Sequence, residues 1–189
     1  LRETAQALID IVRRGKALYV GISKYPPEKA CLVYEMLSDA GVPCLISQYR
    51  YNMFDRTIEK ENLSLAAKNG SGFIAFSPLA QGLLTDKYLN GIPENSRAAR
   101  PCGFLQPSQV TPEKVEIIRQ LNEVAHHRGQ TLAEMALAWT LKDKRITSVI
   151  VGASSVKQLD DNLHALDNLE FTFDELAEID QILLKLVET

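Results

Sequence analysis

The chain has 189 residues, of which 46% are hydrophobic and 24% charged, a composition typical of one globular domain with a buried core. Its formal net charge of −3 lacks the clustered excess of Lys and Arg that nucleic acid or an anionic membrane surface requires. No apolar run approaches the roughly 20 residues of a bilayer span, and the first residues do not resemble a signal peptide. We therefore expect a cytoplasmic protein with neither nucleic acid nor membrane as a partner.

The three cysteines give no sign of a metal or redox site. Cys31, Cys44 and Cys102 are widely separated and lack the paired spacing of zinc ligands or of a redox motif. No neighbouring base would activate the thiol of Cys102. The sequence therefore predicts ordinary reduced thiols and no bound metal.

Helices and short strands alternate along the first part of the chain. Apolar residues at a three-to-four spacing predict helices, and short apolar runs bounded by Gly or Pro predict strands. The predicted order is a helix from 5 that ends at Gly15, a strand at 17–22, a helix from 30 that ends at Gly41, a strand at 44–46, a helix at 56–68 and a strand at 72–76.

This alternation is interrupted in the middle of the chain. The segment 89–111 contains three prolines and two glycines with little periodicity, and a loop of that length in a compact domain usually has a function. We interpret it as a lid over a ligand. The elements predicted to follow are helices at 112–127 and 131–142, a strand at 147–151, a helix at 156–166 and a C-terminal helix at 173–187.

Alternating strands and helices predict an α/β fold with a parallel sheet, either doubly wound or closed into a barrel. The predicted strands are about half of those in a (β/α)8 barrel, which takes about 250 residues. The chain also begins within a helix and without Met. We therefore expect a fragment of a longer polypeptide.

Ordered motifs extend over the whole chain at 15–23 (GKALYVGIS), 48–52 (QYRYN), 76–82 (FSPLAQG), 91–97 (GIPENSR) and 152–162. In these motifs the chain resembles the C-terminal half of an aldo-keto reductase. The nearest branch contains bacterial glyceraldehyde-3-phosphate reductases and potassium-channel β subunits. The resemblance implies a single domain with strands 5 to 8 of a parallel (β/α)8 TIM barrel and their helices.

The resemblance implies that one end of the cofactor, the nicotinamide, lies at strand ends. Phe76 takes the aromatic stacking position, and Ser23 and Gln48 take the positions that bind the carboxamide. From the residues alone, Phe76 would more often be interpreted as a core aromatic, and the motif around it favours the stacking position instead. Lys24 follows Ser23 where many members have Asn, and it contacts a phosphate or lies in solvent. The strand at 147–151 ends just before 152–155, as the strand at 72–76 ends before the turn that follows it. We therefore expect one ligand to span these two strand ends.

Phosphate binding is implied for the turn after the strand at 72–76. Small residues in this turn leave backbone N–H groups free to bind a pyrophosphate. No GxGxxG motif follows any predicted strand, which disfavours a Rossmann domain. Lys87 and Arg97 match the phosphate-clamping positions; without the resemblance they would be interpreted as solvated charges. The turn residues are Ser77, Pro78, Leu79, Ala80 and Gln81.

The helix at 156–166 is implied to bind the adenosine end. Gly152 and Ser154 precede its N-terminus, where free N–H groups and the helix dipole favour a ribose 2′-phosphate and hence NADP. Gln158 stands where many members have Arg against that phosphate. Asp161 and Asn162 match contacts to the adenine amine, with an ordinary exposed pair as the alternative.

The implied function is NADPH-dependent reduction of a small aldehyde or ketone by hydride transfer. The family's catalytic tetrad precedes this segment, so no catalytic residue is assigned here, and His126, His127 and His164 match no catalytic position. We expect the missing N-terminal half as a partner and an inactive chain without it. The alternatives are a nucleotide-binding regulatory subunit that resembles the channel β subunits, and an inactive half barrel that pairs with another copy as a homo-oligomer.

Overall fold

Four short strands form one parallel sheet in the computed structural model of the chain. They are β1 (Val20–Ser23), β2 (Cys44–Arg50), β3 (Gly72–Phe76) and β4 (Ser148–Ile150), and they lie side by side in chain order. Parallel neighbours require a crossover connection, which the helices between the strands supply. Because a closed (β/α)8 barrel has about twice as many strands, this sheet corresponds to half of such a barrel.

The structure describes residues 1–100 and 102–186, and the chain divides into two compact units. The prediction of a single domain stays a prediction, and Val187, in the predicted C-terminal helix, lies outside the described residues. The first unit comprises Leu1–Tyr51, Asp55–Phe76 and Asp143–Ile150. The second comprises Asn52–Phe54, Ser77–Lys142 and the described part of Val151–Thr189.

The first unit contains the sheet and a layer of helices on one of its faces. The helices are α1 (Arg2–Arg13), α2 (Pro27–Asp39) and α3 (Asn62–Lys68). Strand side chains alternate between buried and less buried positions, as a half-covered sheet requires. The buried set includes Ile22, Tyr49, Phe73 and Ala75. These residues and the apolar faces of α2 and α3 form the core of this unit.

The opposite face of the sheet is less covered. Ser23 and Ile150 are exposed there, and Gln48, Ile74 and Phe76 are half-buried. Gly21 occupies this face beside a β-bulge between β1 and β2, and a Cβ at its position would lie 2.7 Å from the carbonyl oxygen of Ile46. The close approach of the two strands therefore requires glycine in the GKALYVGIS motif.

The second unit is built from helices around Trp139. They are α4 (Pro112–His127), α5 (Leu132–Leu141), α6 (Val156–His164) and α7 (Phe173–Leu184). Helix α5 is buried over most of its surface, and the Trp139 side chain is fully buried. Thr131 and Thr172 begin α5 and α7 with capping boxes, which satisfy N–H groups that the first turn of a helix leaves free.

Most predicted elements form, with different boundaries in places. The strand predicted at 17–22 begins only at Val20, and Leu18 and Tyr19 before it are 84% and 66% exposed. The strand predicted at 44–46 continues to Arg50, and the helix predicted at 56–68 is divided into a 3-10 helix, Thr57–Glu59, and α3. Among the described residues of 89–111, regular structure is limited to the 3-10 helix Pro107–Gln109.

None of the helices in the described parts of the chain combines the length and apolar character needed to cross a membrane.

A partly buried ion pair connects α7 to the segment after α4. The Arg128 guanidinium, 2% exposed, contacts the Glu175 carboxylate at 2.7 Å and lies 3.7 Å from the centre of the Phe171 ring. It also donates to the carbonyl oxygens of Asn168 and Glu170. Burial favours a higher pKa of Glu175, but hydrogen bonds from Thr172 and Arg128 outweigh it and lower that pKa. Arg128 thus connects the chain before α7 to the end of α4.

We expect Arg128→Ala to lower the free energy of unfolding by about 3 kcal/mol, because it leaves the Glu175 carboxylate without its cation and removes one hydrogen bond from each of the Asn168 and Glu170 carbonyl groups. Arg119→Ala is the matched control: Arg119 pairs with Glu116 at 2.7 Å, but both side chains are about half exposed. That pair should contribute less than about 0.5 kcal/mol. Urea denaturation of both variants measures the difference, and equal losses would contradict the structural role of Arg128.

Candidate functional site

Three predicted site residues of the first unit share the less covered face of the sheet. Ser23 and Gln48 are direct partners in the β1–β2 register, and Phe76 ends β3 with Arg50 and Ile150 as its neighbours in β2 and β4. In a parallel sheet the carboxyl ends of all strands lie at the same edge. The structure therefore brings a hydroxyl, an amide and an aromatic ring to that edge. Their contact with a nicotinamide stays a prediction.

The loop that follows β1 is held in an unusual conformation. Lys24 has φ 60°, in the left-handed region that favours glycine, and its N–H donates to the carbonyl oxygen of Gln48 at 3.1 Å. The next carbonyl group, that of Tyr25, accepts hydrogen bonds from the Tyr49 hydroxyl at 2.8 Å and from the Asn62 amide at 3.3 Å. The Lys24 side chain is exposed. Backbone and buried side chains thus fix this loop together.

Sequence reasoning did not assign Tyr49 and Asn62 to the site. Both are buried, and Tyr49 also stacks on Phe73 with ring centres 5.1 Å apart. Burial raises the pKa of Tyr49 to about 12, so the phenol keeps its proton and remains a donor to Tyr25 at neutral pH. The only sequence signal was the position of Tyr49 next to Gln48, because the bonded carbonyl group is 24 residues away in the chain.

Backbone strain concentrates at the predicted site. Within residues 1–100 and 102–186, four residues other than glycine have positive φ: Lys24 at 60°, Ser77 at 54°, Ala80 at 47° and Gln81 at 63°. All four are among the predicted cofactor-binding residues. The left-handed conformation costs an L-residue about 1 to 2 kcal/mol, and such strain in folded proteins is found mainly at functional sites.

The turn after β3 lies in the second unit and is connected to the segment 91–97. The Gln81 side chain donates to the Ser77 hydroxyl at 3.1 Å and accepts from the Arg97 guanidinium at 3.1 Å. Pro78 is buried, and Leu79 and Ala80 are half-buried. Lys87 is exposed in a 3-10 helix, Asp86–Tyr88, that Thr85 caps. The structure therefore joins Arg97 to the turn through Gln81, and the Lys87 side chain is exposed to solvent.

The segment before α6 is satisfied by its own side chains. The Gln158 side-chain oxygen accepts from the Ser154 N–H at 2.8 Å and from the Ser154 hydroxyl at 3.0 Å. The Ser155 hydroxyl accepts from the Gln158 N–H at 3.2 Å. Gly152 is exposed. An anion at this helix N-terminus would therefore have to replace Gln158 as the acceptor.

The two predicted adenine contacts differ in their surroundings. The Asp161 carboxylate pairs with Lys157 at 2.9 Å on the surface of α6. Asn162 is only 9% exposed, and its side-chain amide nitrogen has no hydrogen-bond partner in the described part of the chain. Because a buried donor without an acceptor is unfavourable, this nitrogen is suited to an acceptor supplied by a ligand.

The predicted lid is partly packed. In the described residues of 89–111, Ser96, Ala98 and Leu105 are buried, whereas Phe104 is 93% exposed. Leu105 is packed and Phe104 faces solvent. Movement of the segment over a ligand stays a prediction.

The cysteines have environments of ordinary thiols. Cys31 is half-buried, Cys44 buried and Cys102 exposed, and all three are free. A hydrogen bond to the Glu35 carboxylate raises the pKa of Cys31, and burial raises that of Cys44, so both favour the unreactive thiol form. In residues 1–100 and 102–186, no group of three or more His, Cys, Asp and Glu is arranged to hold a metal ion.

We expect Lys24→Gly to raise the free energy of unfolding by about 0.5 to 1 kcal/mol, because glycine adopts positive φ without the clash that Cβ causes. The matched control is Lys60→Gly, at an exposed position with φ −64°, where added chain entropy should lower stability by about 0.5 to 1 kcal/mol. Thermal and urea unfolding measure both. Similar destabilisation by the two variants would contradict the strain at residue 24.

Comparison with known proteins agrees with the motifs and the sheet. The aldo/keto reductase family model matches residues 1–184. L-glyceraldehyde 3-phosphate reductases of Escherichia coli O157:H7 and of strain K12 are 51% and 50% identical over 185 residues, covering 96% of this chain and 54% of each relative. A putative voltage-gated potassium channel subunit beta of Schizosaccharomyces pombe is 32% identical over 189 residues, covering 97% of this chain and 55% of that protein.

The chain thus spans about half the length of the curated relatives it matches. The four parallel strands in chain order agree with half of the (β/α)8 barrel of these proteins. Family match, motifs and topology lead to the same conclusion: the chain belongs to the aldo/keto reductase family and is an α/β half barrel.

Proposed function

We propose that this chain is the nucleotide-binding half of an NADP-dependent reductase of aldehydes or ketones. The observation that carries the proposal is the strain at Lys24, Ser77, Ala80 and Gln81. All four match cofactor-contact positions in the sequence, and none of them is glycine. Positive φ is held at residues unsuited to it only when the surrounding structure determines the backbone closely, as a binding site demands.

The first unit supplies groups suited to a nicotinamide. The ring needs an aromatic face on one side and hydrogen bonds to its carboxamide, so that one face stays open for hydride transfer. Phe76 is half-buried and supplies the aromatic ring, and Ser23 and Gln48 supply the hydroxyl and amide. The bound nucleotide supplies the hydride. The residues of this chain orient the ring, and the proton comes from the tetrad in the other half of the barrel.

The second unit supplies groups suited to the rest of the nucleotide. Lys87 and Arg97 are exposed cations for its phosphates, and the unpartnered amide of Asn162 is a donor for an adenine ring nitrogen. Asp161 would accept from the adenine amine after exchange with Lys157. Because Gln158 occupies the donors of Ser154, preference for a 2′-phosphate depends on its displacement.

The substrate class follows from the relatives. Two relatives at 50% identity or more are named as reductases of L-glyceraldehyde 3-phosphate, a short aldehyde with a phosphate group. We propose a small phosphorylated aldehyde of this kind as the substrate of the complete barrel. The missing N-terminal half would supply the Asp, Tyr, Lys and His of the family tetrad, so the chain without it should bind nucleotide without turnover.

The relative named as a potassium channel subunit beta favours a second function, that of a nucleotide-binding regulatory subunit. Turnover separates the two. A chimera of this chain with the N-terminal half of the Escherichia coli reductase should oxidise NADPH with glyceraldehyde 3-phosphate. A folded chimera that binds NADPH without turnover would favour the regulatory function.

The proposal is tested first by calorimetric titration of the folded 189-residue chain with NADPH and with NADH. Saturable binding that prefers NADPH supports a nucleotide site with NADP specificity, and equal binding of the two would contradict that specificity. Absence of binding by the folded chain would contradict a nucleotide site in this half alone.

We expect Asn162→Leu to raise the free energy of unfolding by about 1 kcal/mol, because it removes a buried donor that has no partner among residues 1–100 and 102–186. The same change should weaken NADPH binding about tenfold, since the proposed adenine contact is lost. Asn122→Leu is the matched control. Asn122 is equally buried but bonded to His126 at 3.3 Å, so its replacement should lower stability and leave NADPH binding unchanged. Lower stability and unchanged affinity in Asn162→Leu would contradict the adenine contact.

A further inference from the structure

Asn52 is a buried polar residue, 2% exposed, to which the family resemblance assigns no cofactor contact. Its amide nitrogen donates to the carbonyl oxygen of Ser77 at 2.9 Å, and its amide oxygen accepts from the N–H of Phe54 at 2.9 Å. A carbonyl group can only accept and a backbone N–H can only donate, so the two partners define which end of the amide faces each of them. The side chain is therefore fixed in one orientation.

The residue that Asn52 contacts is the first strained residue of the turn. Ser77 has φ 54°, and its carbonyl oxygen also accepts from the Ala80 N–H at 3.0 Å, which closes the turn. Two donors thus converge on one carbonyl oxygen, one from the turn itself and one from Asn52. The peptide group after Ser77 cannot rotate toward a relaxed conformation without breaking both hydrogen bonds.

The hydrogen bonds continue from this turn to the segment 91–97. The Ser77 hydroxyl accepts from Gln81, and the Gln81 oxygen accepts from Arg97. Asn52 is thus the buried end of a series of hydrogen bonds whose exposed end is a cation. Neither Ser77 nor Gln81 is glycine, so their positive φ values depend on these contacts rather than on intrinsic preference.

We propose that Asn52 is a positioning residue that holds the turn Ser77–Gln81 in the conformation that binds the nucleotide pyrophosphate. The inference deepens the proposed function and rests on it. Asn52 does not touch the nucleotide. It fixes the Ser77 carbonyl group and with it the backbone of the turn, and Gln81 accepts a hydrogen bond that holds Arg97 beside the turn. Removal of the Asn52 donor allows the Ser77 peptide to relax, and the pyrophosphate loses donors that remain chemically present.

The test is Asn52→Asp in the full chain. Asp keeps the size of Asn and an acceptor for the Phe54 N–H, but it replaces the donor to Ser77 with an oxygen. The matched control is Asn69→Asp: Asn69 donates through its amide to the carbonyl oxygen of Leu65 at 2.8 Å at the exposed end of α3. Both variants lose one side-chain hydrogen bond to a backbone carbonyl group, and only the first is next to the turn.

We expect Asn52→Asp to weaken NADPH binding about tenfold, as the loss of one buried hydrogen bond predicts, with less than about a twofold change for adenosine 2′,5′-bisphosphate, which lacks a pyrophosphate. Asn69→Asp should leave both affinities unchanged. A general loss of structure would instead weaken both ligands together. Equal weakening of the two ligands by Asn52→Asp, or unchanged NADPH affinity, would overturn the proposal.

A second measurement does not depend on any nucleotide. The amides of Gly82, Leu83 and Leu84 donate to carbonyl groups of Leu79 and Ala80, and their hydrogen exchange reports on the turn. Exchange at these amides should become about tenfold faster in Asn52→Asp and stay unchanged in Asn69→Asp. Unchanged exchange would overturn the proposal whatever the affinities are.

Two further outcomes remain decisive. If the unsubstituted folded chain binds no NADPH, the proposed function fails in this half barrel, and hydrogen exchange alone then decides whether Asn52 holds the turn. If Asn52→Asp does not fold, Asn52→Ser takes its place in the same comparison, because it lacks the amide donor and introduces no charge. Addition of Ser77→Gly should restore slow exchange, since glycine adopts positive φ without support.

Discussion

The parallel register of β1, β2 and β3 is the constraint on which the first half of the candidate site depends. Ser23 lies opposite Gln48, and Phe76 ends the next strand on the same face. Side chains alternate between faces with a period of two, so a slip of one residue in any strand would turn its site residue toward the helices. The bulge at Val20 and Gly21 and the missing Cβ of Gly21 allow this register. The chemistry at the sheet edge therefore depends on backbone hydrogen bonds made farther inside.

The strained residues need stability supplied by residues outside the site. Tyr49 of β2 and Asn62 of α3 hold the loop after β1, and both side chains are buried, where an unmade hydrogen bond would be costly. In the second unit the turn after β3 is held in the same way, by a buried amide. The conformation of both segments therefore depends on side chains outside the predicted cofactor contacts. Their substitution changes the population of the binding conformation rather than the contacts themselves.

The sequence predicted elements well where local chemistry determines them. Helix α4 begins and ends where predicted, because Thr111 caps it and Pro112 takes its first position. The extra predicted residues before Val20 are apolar but exposed, a property that no local pattern reveals. The left-handed conformations of Ser77 and Gln81 also lacked a signal, since such positions are usually recognised by glycine. The hydrogen bonds from Tyr49 and Asn62 both end on the distant backbone carbonyl group of Tyr25. Every residue type has such a group, so the sequence gives no sign of these bonds.

If the N-terminus of α6 binds a phosphate as proposed, its specificity is a balance between two acceptors. Gln158 already receives two hydrogen bonds from Ser154, so a phosphate gains only the difference between its own bonds and those that it displaces. Hydrogen bonds to a phosphate are stronger because they are assisted by its charge, but the displaced Gln158 side chain must then be hydrated. An Arg at position 158 would attract the phosphate by its positive charge, whereas the neutral Gln158 can only give up its hydrogen bonds to Ser154. Any preference for a 2′-phosphate in this chain therefore arises from the helix dipole and from the charge-assisted strength of the new bonds, and it should be smaller than where a guanidinium faces the phosphate.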